Sequence, residues 1–112
     1  MEEKLLKIIN HYGVLPQLKY FQSEVFELNE AIFEKEYHSF HFDVDNENIT
    51  IAERDKLTKH IAEEIADVMV LLEQFKNYYD ISSEEITKIF WSKVDRQLGR
   101  MEDAEKGNVC KD

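Results

Sequence analysis

The sequence of 112 residues predicts an all-α protein, and its composition and periodicity carry that prediction. Only three glycines and one proline are present, too few for the many tight turns of an all-β domain. Apolar residues recur at intervals of three and four, as on one face of an α-helix. We therefore expect a bundle of four helices in one domain over residues 1–101, completed by association of several copies, with a polar, frayed C-terminal tail over residues 102–112.

The charge balance restricts the partners that the protein could bind. It has 24 acidic and 14 basic residues, a formal net charge of -10, so it would repel a phosphate backbone and we expect no direct nucleic-acid binding. The single cysteine, Cys110, cannot form an internal disulfide, which suits a reducing compartment. The sequence has no signal-peptide pattern and no run of about 18 apolar residues. We expect a cytoplasmic protein that does not enter membranes.

Turn and capping signals divide the first half of the chain. Leu5, Leu6, Ile8 and Ile9 predict a short amphipathic helix that ends at Gly13, and Pro16 suits the first turn of the next helix. That second helix is predicted to run roughly to Tyr37. Residues 38–50, HSFHFDVDNENIT, lack a helical period and predict a loop or an irregular hairpin.

Two capping boxes divide the second half. Thr50 with Glu53 predicts the start of a third helix that continues to about Tyr79. Ser82 with Glu85 predicts the start of a fourth helix. Each box pairs a hydroxyl residue with a glutamate three positions later, which satisfies two backbone N–H groups at a helix start.

The second and third helices carry acids at matching positions beside their apolar stripes. The stripe residues are Phe21, Val25, Leu28 and Ile32 in the second helix and Ile61, Ile65, Val68 and Leu72 in the third. At about 100° per residue, Glu24 and Glu27 lie about 60° and about 120° to one side of the first stripe. Glu64 and Asp67 lie at the same offsets from the second stripe. Packing of the stripes would bring four carboxylates toward one shared edge.

Four clustered carboxylates repel one another and resist desolvation, so they bind either protons or a cation. Oxygen ligands alone favour Mg²⁺ or Mn²⁺ over zinc, which prefers histidine and cysteine. A di-iron bundle would need Glu-x-x-His pairs, and no histidine follows a glutamate by three positions. The alternative is that the acids are ordinary solvated charges. The matched offsets in both helices favour the cation site.

These motifs resemble the signature of the MazG-like all-α nucleoside triphosphate pyrophosphohydrolases. The matching segments are SEVFE, residues 23–27, and EEIAD, residues 63–67, and the likeness extends from about Gln17 to Arg100. The resemblance implies a Mg²⁺-dependent enzyme, with Mn²⁺ as a possible substitute. Its substrate would be a nucleoside triphosphate, cleaved between the α and β phosphates to give a nucleoside monophosphate and pyrophosphate.

The resemblance also implies roles for individual residues. The residues that match the family's metal ligands are Glu24, Glu27, Glu64 and Asp67. Glu63, or one of those ligands, could accept the proton of the attacking water. Lys93, Gln97 and Arg100, spaced four and three apart on one face of the fourth helix, resemble the family's phosphate-facing residues.

Two departures from the family's pattern leave other functions open. Ser23 stands where many members have a second glutamate, and the segment between the two motifs is longer than in compact members. A non-catalytic acidic helical module that binds another protein is one alternative. A degenerate member that binds nucleotide without turnover is another.

A second apolar face on the second helix predicts self-association. Phe26, Phe33 and Tyr37 lie opposite the main stripe. Four helices of one subunit have little means of covering two apolar faces on one helix. We therefore expect a homodimer or a homotetramer.

Overall fold

The computed structural model describes residues 2–44 and 51–107, and every regular element in these ranges is an α-helix. The helices are α1 (Glu2–Tyr12), α2 (Val14–Val44), α3 (Ile51–Tyr78) and α4 (Ser83–Glu105). No strand occurs in the described ranges, which confirms the predicted all-α class. None of the described helices combines the length and the apolar character that crossing a membrane would need.

The chain divides into two compact units, Met1–Tyr79 and Asp80–Asp112. The first unit contains α1, α2 and α3, which pack on one another, and the most extensive pairing joins α2 to α3. The second unit contains α4. The single domain predicted over residues 1–101 covers parts of both units and stays a prediction.

Gly13 makes the turn between α1 and α2. Its φ is +92°, a conformation that costs a residue with a Cβ but not glycine. Its N–H donates to the Ile9 carbonyl at 2.8 Å, and its carbonyl accepts from the Gln17 N–H at 3.2 Å. Ile9 is fully buried and anchors α1, while Pro16 lies in the first turn of α2. The predicted end of α1 and start of α2 are confirmed.

Helix α2 is longer than predicted. It continues past Tyr37 to Val44, so the loop prediction was wrong for residues 38–44. That stretch contains neither glycine nor proline, and nothing in it stops a helix from adding further turns at little cost. The rest of the predicted loop, residues 45–50, and the capping residue Thr50 lie outside the described residues.

The start of α4 is capped as the sequence predicted. Ser82 has extended backbone angles, and its Oγ accepts a hydrogen bond from the Glu85 N–H at 3.1 Å. The chain reaches this cap through Asp80, whose φ of 54° lies in the left-handed region. Helix α4 includes the first residues of the predicted tail. An ion pair of 2.8 Å between Lys106 Nζ and Glu102 Oε1, one turn apart, supports its last turn.

Helices α2 and α3 run antiparallel. Gln17, near the start of α2, hydrogen-bonds to Gln74, near the end of α3. Glu24, further along α2, approaches Glu64, which lies earlier on α3. The rings of Phe21 and Phe75 meet edge to face, with their centroids 5.8 Å apart. Along the interface, residue numbers therefore rise on α2 in the direction in which they fall on α3.

The interface between α2 and α3 is rotated from the predicted stripes. The buried residues of the two helices are Gln17, Glu24 and Ala31 on α2 and Leu71 and Gln74 on α3. Val25 and Ile65, both in the predicted stripes, remain 41% and 43% exposed. The three α2 residues are seven positions apart, which is the heptad spacing that keeps one face of a helix against its partner. Glu24, predicted to one side of its stripe, is buried, because the apolar pattern alone did not fix the helix rotation.

Candidate metal centre

Three glutamates from two helices converge at the α2–α3 interface. Glu24, Glu27 and Glu64 each place one carboxylate oxygen so that the three oxygens lie within 4.8 Å of one another. Glu24 is only 5% exposed, and the side chain of Glu64 is 12% exposed. Glu27, one turn after Glu24, is exposed. The group therefore combines two enclosed carboxylates with one that faces solvent.

Two oxygens of this group have no hydrogen-bond partner within the described structure. They are Oε2 of Glu24 and Oε2 of Glu64, and both are buried. Leaving a buried polar atom unpaired costs about 1–3 kcal/mol, and more when it is charged. The carboxylates can reduce this cost by sharing a proton or by binding a cation. Three carboxylates that offer only oxygen suit a hard cation such as Mg²⁺ or Mn²⁺, so the residues present fit the predicted metal.

Asp67 and Glu63 lie beside this group on α3. Asp67 is exposed, one turn after Glu64, and lies outside the group of three converging oxygens. Its negative charge nevertheless contributes to raising the pKa of Tyr20. Glu63 is also exposed. Their predicted roles as fourth ligand and as proton acceptor stay predictions.

Two neighbours of the glutamates were missing from the predicted site. Nε2 of His60 lies 3.3 Å from Oε1 of Glu64. The pKa of Tyr20 is raised above its ordinary value, chiefly by a hydrogen bond to Glu24, with smaller contributions from the charge of that carboxylate, from burial and from nearby acids. Each aromatic residue precedes its glutamate by four positions, the spacing of neighbours on a helix face. That spacing was the available signal in the sequence.

Ser23 takes no part in the group. Its Oγ donates a hydrogen bond to the backbone carbonyl of Tyr20 at 2.7 Å. Bonding back to the preceding turn is common for a helical serine. The hydroxyl is therefore used within its own helix and contributes nothing to the group of carboxylates.

The predicted phosphate-binding residues lie together in the second unit. Lys93, Gln97 and Arg100 line one shallow depression on α4 with Arg96, which the sequence prediction left out. Arg100 is partly buried, and the other three are exposed. Three cationic side chains and an amide on one helix face suit an anion with several oxygens.

Comparisons with models of protein families, with curated proteins and with solved structures found no match. The resemblance to MazG-like enzymes therefore stays a hypothesis carried by the two acidic motifs.

Proposed function

We propose that the protein is a Mg²⁺-dependent nucleoside triphosphate pyrophosphohydrolase of the MazG-like type. The observation that supports this proposal is the convergence of Glu24, Glu27 and Glu64 with two buried oxygens that lack partners. Buried polar atoms in proteins are normally hydrogen-bonded, and exceptions call for a physical reason. A bound cation is the reason that also agrees with the two acidic motifs. Such an enzyme would act in the cytoplasm on non-standard or surplus nucleotides.

In the proposed reaction, water attacks the α-phosphorus and the bond from that phosphorus to the bridging oxygen breaks. The products are a nucleoside monophosphate and pyrophosphate. A cation held by the three converging glutamates, with Asp67 as a further ligand, would neutralise phosphate charge and activate the water. Glu63 would accept the proton that the water releases.

In this proposal, the depression on α4 would supply positive charge for the phosphates. Lys93 and Arg100 would neutralise the charge that develops on the leaving pyrophosphate. Gln97 would donate a hydrogen bond to a phosphate oxygen from its amide. In a protein of net charge -10, holding a polyphosphate needs local cationic side chains as well as a metal.

We also propose that the active form is a homodimer or homotetramer. Phe26, Phe33 and Tyr37 are exposed on α2, and the rings of Phe33 and Tyr37 stack with centroids 6.0 Å apart. In the second unit, Phe90 and Trp91 are exposed on α4. Large contiguous apolar surfaces mark interaction sites. Further copies of the chain would cover them.

The test of the activity is a panel of ribonucleoside and deoxyribonucleoside triphosphates, assayed for pyrophosphate release with Mg²⁺ and with Mn²⁺. We expect release from at least one triphosphate, and its loss in Glu24→Gln and Glu64→Gln. Glu36→Gln, which neutralises an exposed acid elsewhere on α2, is the matched control and should keep the activity. If wild-type protein releases pyrophosphate from no member of the panel, the hydrolase proposal is wrong. An interaction module or a nucleotide binder without turnover would then replace it.

A further inference from the structure

Each enclosed glutamate follows a polar aromatic residue by four positions on its own helix. Tyr20 precedes Glu24 on α2, and His60 precedes Glu64 on α3. Residues four apart on a helix are neighbours on one face. The two pairs repeat the same arrangement on two helices that face each other.

The antiparallel packing places these two pairs on opposite sides of the carboxylates. Tyr20 lies one turn before Glu24, toward the start of α2. His60 lies one turn before Glu64, toward the start of α3. Because the helices are antiparallel, these two starts lie at opposite ends of the interface. Tyr20 and His60 therefore approach the group from opposite directions. Both side chains remain about half exposed, so neither residue is needed to fill the core.

In both Glu24 and Glu64, one carboxylate oxygen has no protein partner among the described residues and is available to bind a cation. His60 lies beside Oε1 of Glu64, while Oε2 of the same carboxylate is buried and has no partner. Tyr20 lies one turn before Glu24 on α2, close enough for that carboxylate to raise the pKa of its hydroxyl, and Oε2 of Glu24 is likewise buried and without a partner. A carboxylate with a side chain close beside one of its oxygens has less freedom to turn. Its remaining oxygen then keeps a fixed direction.

We propose that Tyr20 and His60 are positioning residues, each holding one carboxylate so that Glu24 Oε2 and Glu64 Oε2 point into the space where a cation binds. This inference rests on the cation site of the proposed function. It does not depend on nucleotide hydrolysis. Partners that orient metal ligands in this way commonly change metal affinity by about 10- to 100-fold when they are removed.

The test measures Mn²⁺ affinity by calorimetry and by electron paramagnetic resonance, on the full chain without nucleotide and at one fixed pH. Tyr20→Phe removes only the hydroxyl, and His60→Leu removes the ring nitrogens. We expect each to weaken Mn²⁺ binding by about 10-fold. His60→Gln keeps an N–H donor at a similar reach, and it should restore most of the affinity. Tyr12→Phe and His11→Leu, at exposed positions on α1, are matched controls and should keep the wild-type affinity for Mn²⁺.

Urea unfolding of the metal-free variants separates positioning from a structural role. We expect Tyr20→Phe and His60→Leu to unfold near the wild-type midpoint while binding Mn²⁺ more weakly. Unchanged Mn²⁺ affinity in both variants, or the absence of Mn²⁺ binding by the wild type, would overturn the inference. A wild type that binds Mn²⁺ but hydrolyses no triphosphate, with both variants binding weakly, would support the positioning role and refute the hydrolase.

Discussion

Nε2 of Gln17 donates a hydrogen bond to Oε1 of Gln74 over 2.8 Å and joins α2 to α3 inside their interface. The two residues are 6% and 2% exposed, so their amides have little access to water. A shift of one helix along the other that kept both amides buried would leave them without partners, at a cost in free energy. Buried polar residues are known to specify helix register in this way. We infer that this pair fixes the register in which Glu24 faces Glu64.

The first prediction concerns that hydrogen bond. Gln17→Leu leaves the amide of Gln74 buried and unpaired, so we expect the free energy of unfolding to fall by about 1–3 kcal/mol. The double variant Gln17→Leu/Gln74→Leu removes both polar groups and should recover most of that loss. Urea unfolding followed by circular dichroism measures both changes. Gln22→Leu, at an exposed position on α2, is the control and should stay within about 0.5 kcal/mol of wild type. A double variant no more stable than Gln17→Leu would contradict the prediction.

The second prediction concerns the charge of Glu24. In metal-free protein, Glu24→Gln should raise the free energy of unfolding, because it removes one of three crowded negative charges. Mg²⁺ at roughly ten times its Kd should stabilise wild type by about 1.4 kcal/mol and the variant hardly at all. Urea unfolding with Mg²⁺ and with a chelator measures both effects, and Glu36→Gln should behave as wild type. A variant less stable than wild type without metal would instead indicate an acid in a structural ion pair.

The third prediction concerns Asp67, which lies outside the three converging oxygens. If Asp67 is a metal ligand during turnover, Asp67→Asn should reduce pyrophosphate release by more than the roughly 10- to 100-fold that losing an outer hydrogen-bond partner costs. The shape of the side chain is almost unchanged, so the effect would reflect the lost charge. Asp55→Asn, at another exposed position of α3, should keep full activity. Equal rates for the two variants would exclude Asp67 from the site.

The fourth prediction concerns Lys93 on α4. We expect Lys93→Ala to raise the KM for the nucleotide or to lower kcat, because the ammonium group would no longer neutralise phosphate charge. Mn²⁺ affinity without nucleotide should not change, since the lysine is proposed to contact phosphate and not metal. Steady-state kinetics and calorimetry together measure this difference. Lys7→Ala on α1 is the charge-matched control. Normal kinetics in Lys93→Ala would remove the lysine from the proposed site.

The fifth prediction concerns the exposed aromatic face of α2. Light scattering of wild-type protein at micromolar concentration should give at least twice the mass of one chain. Phe33→Glu should shift the protein toward the monomer, because a charge on that face would be buried on association. Tyr12→Glu places the same charge at an exposed position on α1 and should leave the assembly intact. A wild-type mass equal to one chain would refute the assembly.

Local signals in the sequence predicted the elements of the fold well. Gly13 and Ser82 mark helix boundaries because their roles depend on backbone conformation and on hydrogen bonds to near neighbours. The end of α2 was harder to predict, because residues 38–44 lack a helical apolar period but contain neither glycine nor proline to stop a helix. No local sequence signal distinguished a loop from a continued helix in this stretch.

The candidate site was predicted in part. The acidic motifs correctly indicated that Glu24, Glu27 and Glu64 come together. The enclosure of Glu24 was missed, because counting apolar residues assigns every charged residue to the solvent side of a helix. The face that each helix buries depends on how both helices pack together, including the Gln17–Gln74 hydrogen bond. The apolar stripe of one helix does not reveal that packing. The neighbour His60 was also missed, although its spacing from Glu64 was visible in the sequence.

The enclosed glutamates imply a particular course for laboratory evolution. Replacing buried charged groups by well-packed apolar residues of similar volume often leaves a protein equally stable or makes it more stable, by about 1–4 kcal/mol. A library randomised at positions 24 and 64 and screened only for folded, protease-resistant protein should therefore become enriched in leucine and methionine. The same library screened for function should retain glutamate. On this reasoning the two acids lie where stability and activity impose opposite preferences, and the difference between the two screens would measure that conflict.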